Sequence, residues 1–333
     1  MADKALIQAL VEAWGPPGHE HEVRALIEGY VRDLADEVRV DSSGNLICRM
    51  GSGGKKIMIA AHMDEIGMVV NTLDKPGFAR FTMTGGLILV SLIGNRVRFA
   101  NGTIGTIGME GSALIPTKLP TLAELFIDFS ENGNDSGSVQ VGDAAALTRN
   151  FTTRGDRLIA KSMDDRIGCA VAIEAMRALK GKNLPNELYF VFTTQEEVGI
   201  RGARVAANGI APDYGIALDV TATGDTPKNN SMAIRLGGGA AIKVLDSGHI
   251  VPPAIKNLMI SRAEAAGIPY QLEILTGGST DAAAIQTALS GIPSGVISIP
   301  CRYVHTTSET VDINDVQACI DLLVALLAQP FEA

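Results

Sequence analysis

Imidazole and carboxylate residues stand where the buried apolar runs of this chain stop. KIMIAA ends in His62-Met63-Asp64, LYFVFTTQ in Glu196-Glu197, YGIAL in Asp219 and GVISIPCRYV in His305, while Asp164-Asp165 stand just before a helix predicted over 166–180. Imidazole with carboxylate suits Zn²⁺, Co²⁺ or Mn²⁺, and the absence of thiolates from the set argues against a structural zinc site. Two histidines with three or four carboxylates are too many ligands for one catalytic ion. They fit two ions that share a bridging carboxylate about 3.5–4 Å apart. Asp64, two residues past His62, can orient that imidazole. Glu196 and Glu197 are adjacent, so their side chains diverge, and one can ligate while the other holds a water as general base. Alone, each of these residues reads as a solvated loop position or a helix cap. Their convergence carries the reading.

The elements needed to position them are legible as periodicities. Ala5, Leu6, Leu10 and Val11 mark one amphipathic helix and Val23, Leu26, Ile27 and Val31 a second, separated by Gly15-Pro16-Pro17-Gly18. Short strands follow at EVRVD and NLICRMG, then KIMIAAH, a run apolar enough to be buried on both faces. Between 70 and 158 the rhythm changes: ARFTM, LILVSLI, NRVRFA, TIGTIGM and ELFIDF are β-like runs punctuated by Gly, Asn, Ser and Pro. After 160, helices and strands alternate to the C-terminal segment VQACIDLLVALLAQ. Such alternation predicts a helix-covered, mainly parallel sheet. The expected organisation is one α/β domain, residues 1–69 and 159–333, interrupted by a β-rich insert at 70–158. Ligands of open α/β sheets bind beyond the carboxyl ends of the strands, where the polar residues above fall.

Composition narrows the partners. The 333 residues carry 28 Lys and Arg against 37 Asp and Glu, a net charge of −9, which disfavours nucleic acid and anionic membrane. No apolar run is long enough to span a bilayer, and the N-terminus lacks a signal peptide's pattern; a cytoplasmic protein is the expectation. Cys48, Cys169, Cys301 and Cys319 are widely spaced and read as buried free thiols. His19, His21 and His249 read as incidental. Gly237-Gly238-Gly239 lacks the Lys-Ser/Thr of a phosphate loop, and no Gly-x-Ser-x-Gly elbow is present.

AAHMDEIG, KSMDDRIG, TTQEEVGIRGA, ALDVTATGDTP, GGSTDAAAI and PCRYVHTTSE, in this order over nearly the whole chain, resemble the motifs of the tetrahedral (TET) dinuclear metalloaminopeptidases. That group includes glutamyl, leucyl and deblocking aminopeptidases, some members of which carry a cellulase or endoglucanase label. The resemblance implies an α/β/α sandwich with an inserted small β-barrel, PDZ-like domain used for dimer contacts. It implies two divalent ions, Zn²⁺ or Co²⁺ and alternatively Mn²⁺, bridged by Asp164. His62 and Asp219 would complete one ion's site, and Glu197 and His305 the other's. Glu196 would be the general base and Asp64 would support His62. Substrates would be peptides with a free N-terminus, and dimers would assemble into a hollow tetrahedral homododecamer.

Two alternatives remain open from sequence. An endoglucanase would need two carboxylates facing each other across about 5–9 Å, which the adjacent Glu196 and Glu197 do not suit. A degenerate metal-binding assembly protein would not need to keep Glu196. The preferred N-terminal residue and the native metal are not legible. Arg302 is available near the site but cannot be assigned to recognition of acidic residues.

Overall fold

The computed structural model describes residues 1–111, 118–131, 138–229 and 231–332. Helices α1 (Lys4–Glu12) and α2 (His21–Val31) lead into strands β1 (Glu37–Val40), β2 (Leu46–Met50) and β3 (Lys56–His62). The Asp3 carboxylate accepts hydrogen bonds from the amides of Ala5 and Leu6, which starts α1. A second unit follows, with β4 (Gly67–Leu73), β5 (Phe78–Thr84), the single turn α3 (Leu89–Leu92), β6 (Arg96–Phe99), β7 (Ile104–Met109), β8 (Leu125–Asp128) and β9 (Ala144–Leu147). Then come β10 (Thr152–Arg154), β11 (Arg157–Ala160), α4 (Met163–Leu179), β12 (Glu187–Thr193), α5 (Arg201–Ile210) and β13 (Tyr214–Thr221). The chain finishes with β14 (Ala240–Leu245), α6 (Pro253–Ala266), β15 (Tyr270–Ile274), α7 (Asp281–Gln286), β16 (Ser294–Arg302), β17 (Glu309–Asp312) and α8 (Ile313–Leu327).

The large sheet runs β1-β2-β12-β3-β13-β16-β17-β11-β10, with β14 on β16 and β15 on β14. Its centre, β12-β3-β13-β16, is parallel. Strands outside that centre pair antiparallel, except for the parallel β14-β15 pair. The expected "mainly parallel" sheet is therefore a mixed sheet with a parallel middle. Hydrophobic periodicity locates strands but not their direction: β1-β2, β10-β11 and β16-β17 turn back through short connections, while β2-β12, β11-β17 and β14-β16 pair antiparallel across distant segments. In β3, Ile57, Ile59 and Ala61 pack into the cluster shared with α1, α2, α4 and α8. Met58 and Ala60 pack into the opposite cluster with α5 and α7. Burial on both faces is why this strand reads as a continuous apolar run.

The second unit is a closed six-stranded barrel, β4-β5-β8-β7-β6-β9, with antiparallel pairings throughout. Met68, Phe81, Val97, Phe99, Ile107 and Ile127 fill it. It spans Gly67 to Leu147, narrower than the expected 70–158, because β11 pairs with β17 of the large sheet and β10 pairs with β11. The run LILVSLI, expected as β-like, holds the helical turn α3 instead. The Ser91 hydroxyl donates to the Ile88 carbonyl, and the Asn95 amide group donates to the Ser91 carbonyl, so the turn closes on itself.

Buried polar groups fix the barrel to the sheet. Glu65, between β3 and β4, accepts from the Gly15 amide at 3.0 Å, the Ser162 hydroxyl at 2.6 Å and Lys161 Nζ at 2.6 Å. The Trp14 indole donates to the Arg98 carbonyl of β6 at 3.0 Å. Arg166, wholly buried, donates to the carbonyls of Leu10, Ala13 and Met63 and so ties α1 to the end of β3. Among the described residues, no helix is long and apolar enough to cross a membrane. All four cysteines are buried and free, as expected.

Candidate metal centre

The parallel strands end together, and their last side chains converge. His62 closes β3 opposite Thr193 of β12, while Asp219 lies near the end of β13 opposite Ser298 of β16. Glu196 and Glu197 follow β12, and His305 follows β16. Asp164 is set by an irregular start to α4: Ser162 is left-handed, Asp164 and Asp165 have non-helical dihedrals, and the peptide between them is cis. His62, Asp164, Glu196, Glu197, Asp219 and His305 line one cleft of about 410 Å³.

Asp164 occupies the middle. Its Oδ1 is 2.9 Å from His62 Nε2, and its Oδ2 is 3.3 Å from His305 Nε2. Asp219 Oδ1 lies 4.0 Å from His62 Nε2, and Glu197 Oε1 lies 3.4 Å from His305 Nε2. Two groups able to hold a metal ion result: His62, Asp164 and Asp219, and Asp164, Glu197 and His305, each with donor atoms within 4.8 Å of one another. Asp164 belongs to both.

The tautomers follow from the partners. His62 Nδ1 is 3.1 Å from the Asp64 carbonyl, and His305 Nδ1 is 3.0 Å from the Gly86 carbonyl. A carbonyl only accepts, so each Nδ1 carries a proton and each Nε2 faces the centre, donating to Asp164 when protonated and offering its lone pair to a metal ion when neutral. This is the orientation that metal-ligating imidazoles adopt. The main-chain carbonyl of Asp64, rather than its carboxylate at 3.6 Å, thus orients His62. The carboxylate instead accepts the amides of Glu196 (2.9 Å) and Glu197 (3.1 Å), fixing the turn that presents both glutamates.

The chemistry of the donor set fits divalent cations. More carboxylates are buried here than two imidazoles can balance, and buried carboxylates are costly unless paired or ligating. Glu197 Oε1 is buried without a hydrogen-bond partner. Burial pushes Glu196 well above the usual carboxylate range, with His62 opposing and Asp219, Asp281 and Glu197 adding to the rise. Burial likewise raises Asp219, joined by Asp164, and raises Glu197. Against the opposing effect of burial, Asp164 and Asp64 hold His62 above its ordinary value. Against the same opposition, Asp164 and Glu197 raise His305 to about 12. Asp164 itself is held below its usual range, since His305 and His62 overcome the effect of burial.

Several supports were not singled out from sequence. Glu309 opens β17 and accepts from the amides of Asp164 (3.1 Å) and His305 (2.7 Å), so one buried carboxylate sets the backbone of two candidate ligands. Asp281 accepts from the Thr193 hydroxyl beside the end of β3, and Glu20 accepts from the Gln195 amide. Gly86 belongs to the barrel unit, and a Cβ there would lie 2.7 Å from His305 Nδ1. The signals available were one Glu four residues past His305 and one Asp opening an alanine-rich helix. Gln195, Ile200, Tyr303 and His305 are non-glycine residues with φ between 54° and 64°. Such positions cost about 1–3 kcal/mol each and concentrate around functional sites. His19 and His21 flank Trp14 away from the centre, and His249 is buried outside the cleft lining.

Comparison with known proteins agrees with this geometry. Residues 44–322 match the family described as M42 glutamyl aminopeptidase. The chain is 45% identical over 312 residues to a putative aminopeptidase of Acetivibrio thermocellus, covering 93% of this chain and 94% of the relative. It is 33% identical to the lysyl aminopeptidase of Pyrococcus furiosus, covering 99% and 98%. The structure is similar to an aminopeptidase from the archaeon Desulfurococcus kamchatkensis (TM-score 0.92, 35% identity, 97% and 94% covered). It is also similar to the TET1 peptidase of Pyrococcus horikoshii, described as assembling into a tetrahedron or a large octahedral shell (TM-score 0.89, 30% identity, 98% and 99% covered). A Thermotoga maritima structure described as an endoglucanase matches as well (TM-score 0.80, 30% identity, 96% of each chain covered).

Proposed function

Since the chain belongs to the M42 glutamyl aminopeptidase family, a family of metal-dependent peptide hydrolases, we propose that it trims N-terminal residues from peptides at a two-ion site built around Asp164. The observation that carries this reading is the division of the Asp164 carboxylate, one oxygen toward each histidine. His62 and Asp219 would hold one ion and Glu197 and His305 the other, with Asp164 shared. Zn²⁺ and Co²⁺ suit these ligands best, and Mn²⁺ is the alternative. When bound, the pair of ions lowers the pKa of a bound water toward neutrality and polarises the scissile carbonyl.

Glu196 takes the proton of the attacking water and then delivers it to the leaving amine. Its backbone is pinned by Asp64, so the carboxyl is held over the cleft before substrate arrives. The carboxylates of the cleft attract the substrate's α-ammonium, which accounts for a preference for free N-termini. Asp64 acts by positioning: its carbonyl turns His62 and its carboxylate sets Glu196 and Glu197.

We read the two-faced sheet as an α/β/α sandwich and the barrel as a PDZ-like module for dimer contacts, within a cytoplasmic tetrahedral dodecamer. The Pyrococcus horikoshii relative, described as assembling into a tetrahedron or a large octahedral shell, supports the assembly. Light scattering should return twelve times the 34.9 kDa chain mass; a monomer or dimer mass at working concentration contradicts the assembly.

Dialysis against a strong chelator tests the activity directly. Hydrolysis of aminoacyl-p-nitroanilides should fall to background and return on adding Zn²⁺, Co²⁺ or Mn²⁺. Peptide hydrolysis that persists in the metal-free protein contradicts the reading, and cellulose hydrolysis that survives the chelator would favour a glycosidase instead.

A further inference from the structure

Resting on the aminopeptidase reading, we propose that the cleft accepts a neutral, apolar first side chain of about leucine size and rejects acidic and basic ones. Besides the candidate ligands and Glu196, the side chains lining the cleft are neutral, among them apolar Ile200, Val220, Leu275 and Val304, and the hydroxyl-bearing Thr221, Ser279 and Thr280. Among the described residues, neither Lys nor Arg lines it.

Arg302 and Lys243, which neighbour site-bearing segments in sequence or pairing, are already engaged. Arg302, three residues before His305, grips Asp225 through Nε at 2.8 Å and Nη2 at 2.6 Å, a bidentate fork. Asp225 also accepts from the Thr223 hydroxyl and the Leu236 amide, so the pair is built into the β13–β14 connection. Lys243, fully buried in β14, lies 2.7 Å from Glu273 and 3.3 Å from Asp246. A glutamyl side chain would therefore lose its water and meet neither Lys nor Arg on the cleft lining. Burial of an unpaired carboxylate is heavily penalised.

A lysyl side chain fares no better. Glu273 does not line the cleft, and the hydroxyl of the lining residue Thr221 and Lys243 already engage it. The carboxylates that do line the cleft are the candidate metal ligands and Glu196. An aliphatic side chain packs on Ile200, Leu275 and Val304 and leaves every one of these pairs intact.

The test is a panel of leucyl-, methionyl-, alanyl-, glutamyl- and lysyl-p-nitroanilides on the intact protein reloaded with Co²⁺ or Zn²⁺. Leucyl or methionyl should exceed glutamyl and lysyl by about 100-fold in kcat/KM, and alanyl by about 10- to 200-fold. Leu275→Arg should raise the glutamyl-to-leucyl ratio at least about tenfold. A second readout is independent of turnover: calorimetry on the Glu196→Gln protein should show tighter binding of a leucyl than of a glutamyl tripeptide. Equal or preferred cleavage of glutamyl or lysyl substrates overturns the proposal and leaves the aminopeptidase reading standing. A Leu275→Arg ratio unchanged from wild type also overturns it, because the side chain then sits elsewhere. Cleavage of none of the panel by metal-loaded protein overturns both.

Discussion

Glu196→Gln should keep its metal ions and lose about 10²- to 10⁴-fold in kcat, the range that positioned general acid–base groups contribute. Glutamine reproduces the shape of the side chain and leaves the hydrogen bond from the residue 196 amide to Asp64 untouched. What it removes is the capacity to accept the water's proton and to pass it to the leaving amine. Glu196 belongs to neither candidate ligand group, so metal content should stay at the wild-type value. Steady-state kinetics alongside elemental analysis checks both halves. Near wild-type turnover would move the base elsewhere, and loss of metal would make Glu196 a ligand.

Asp164→Asn should do the opposite, lowering metal content and activity together. Asp164 alone belongs to both ligand groups, and its two oxygens face different imidazoles. Asparagine keeps one ligating oxygen and replaces the other with an amide nitrogen that has no lone pair to offer a metal ion, while the negative charge is lost. At least one ion per chain should be released. The several kcal/mol that a bound cation supplies to carbonyl polarisation correspond to about a 10²- to 10³-fold loss of rate, and to more if both ions leave. The Glu309 carboxylate still accepts the residue 164 amide in this variant, so the backbone retains its anchor.

The ends of the central strands were readable because burial on both faces makes them nearly continuous apolar runs. A polar residue closing such a run stands out, as His62 does after KIMIAA and Asp219 within YGIALDV. Adjacent Glu196 and Glu197 stand out for the same reason. What could not be read were contacts between distant segments. Gly86 lies in the barrel unit, 219 positions from His305, yet its carbonyl fixes that imidazole. Glu309 looks like an ordinary strand residue until the fold places it under the amides of Asp164 and His305. The Arg302–Asp225 fork joins residues 77 apart, so sequence left Arg302 free to be imagined in the substrate pocket. Strand direction was equally hidden. The alternation after residue 160 predicted parallel neighbours, but β14 and β17 are short and pair antiparallel with β16. The barrel limits shifted because β10 and β11 are assigned to the large sheet by their pairing with each other and with β17, which the sequence does not display.

Elemental analysis of the reloaded, gel-filtered protein tests the two-ion site most directly, with wild type and Asp164→Asn measured side by side. Two ions per active chain are expected in the wild type, falling to one or fewer in Asp164→Asn together with the activity. A fully active wild type that holds a single ion per chain, or an Asp164→Asn protein that keeps two, would contradict a centre bridged by Asp164.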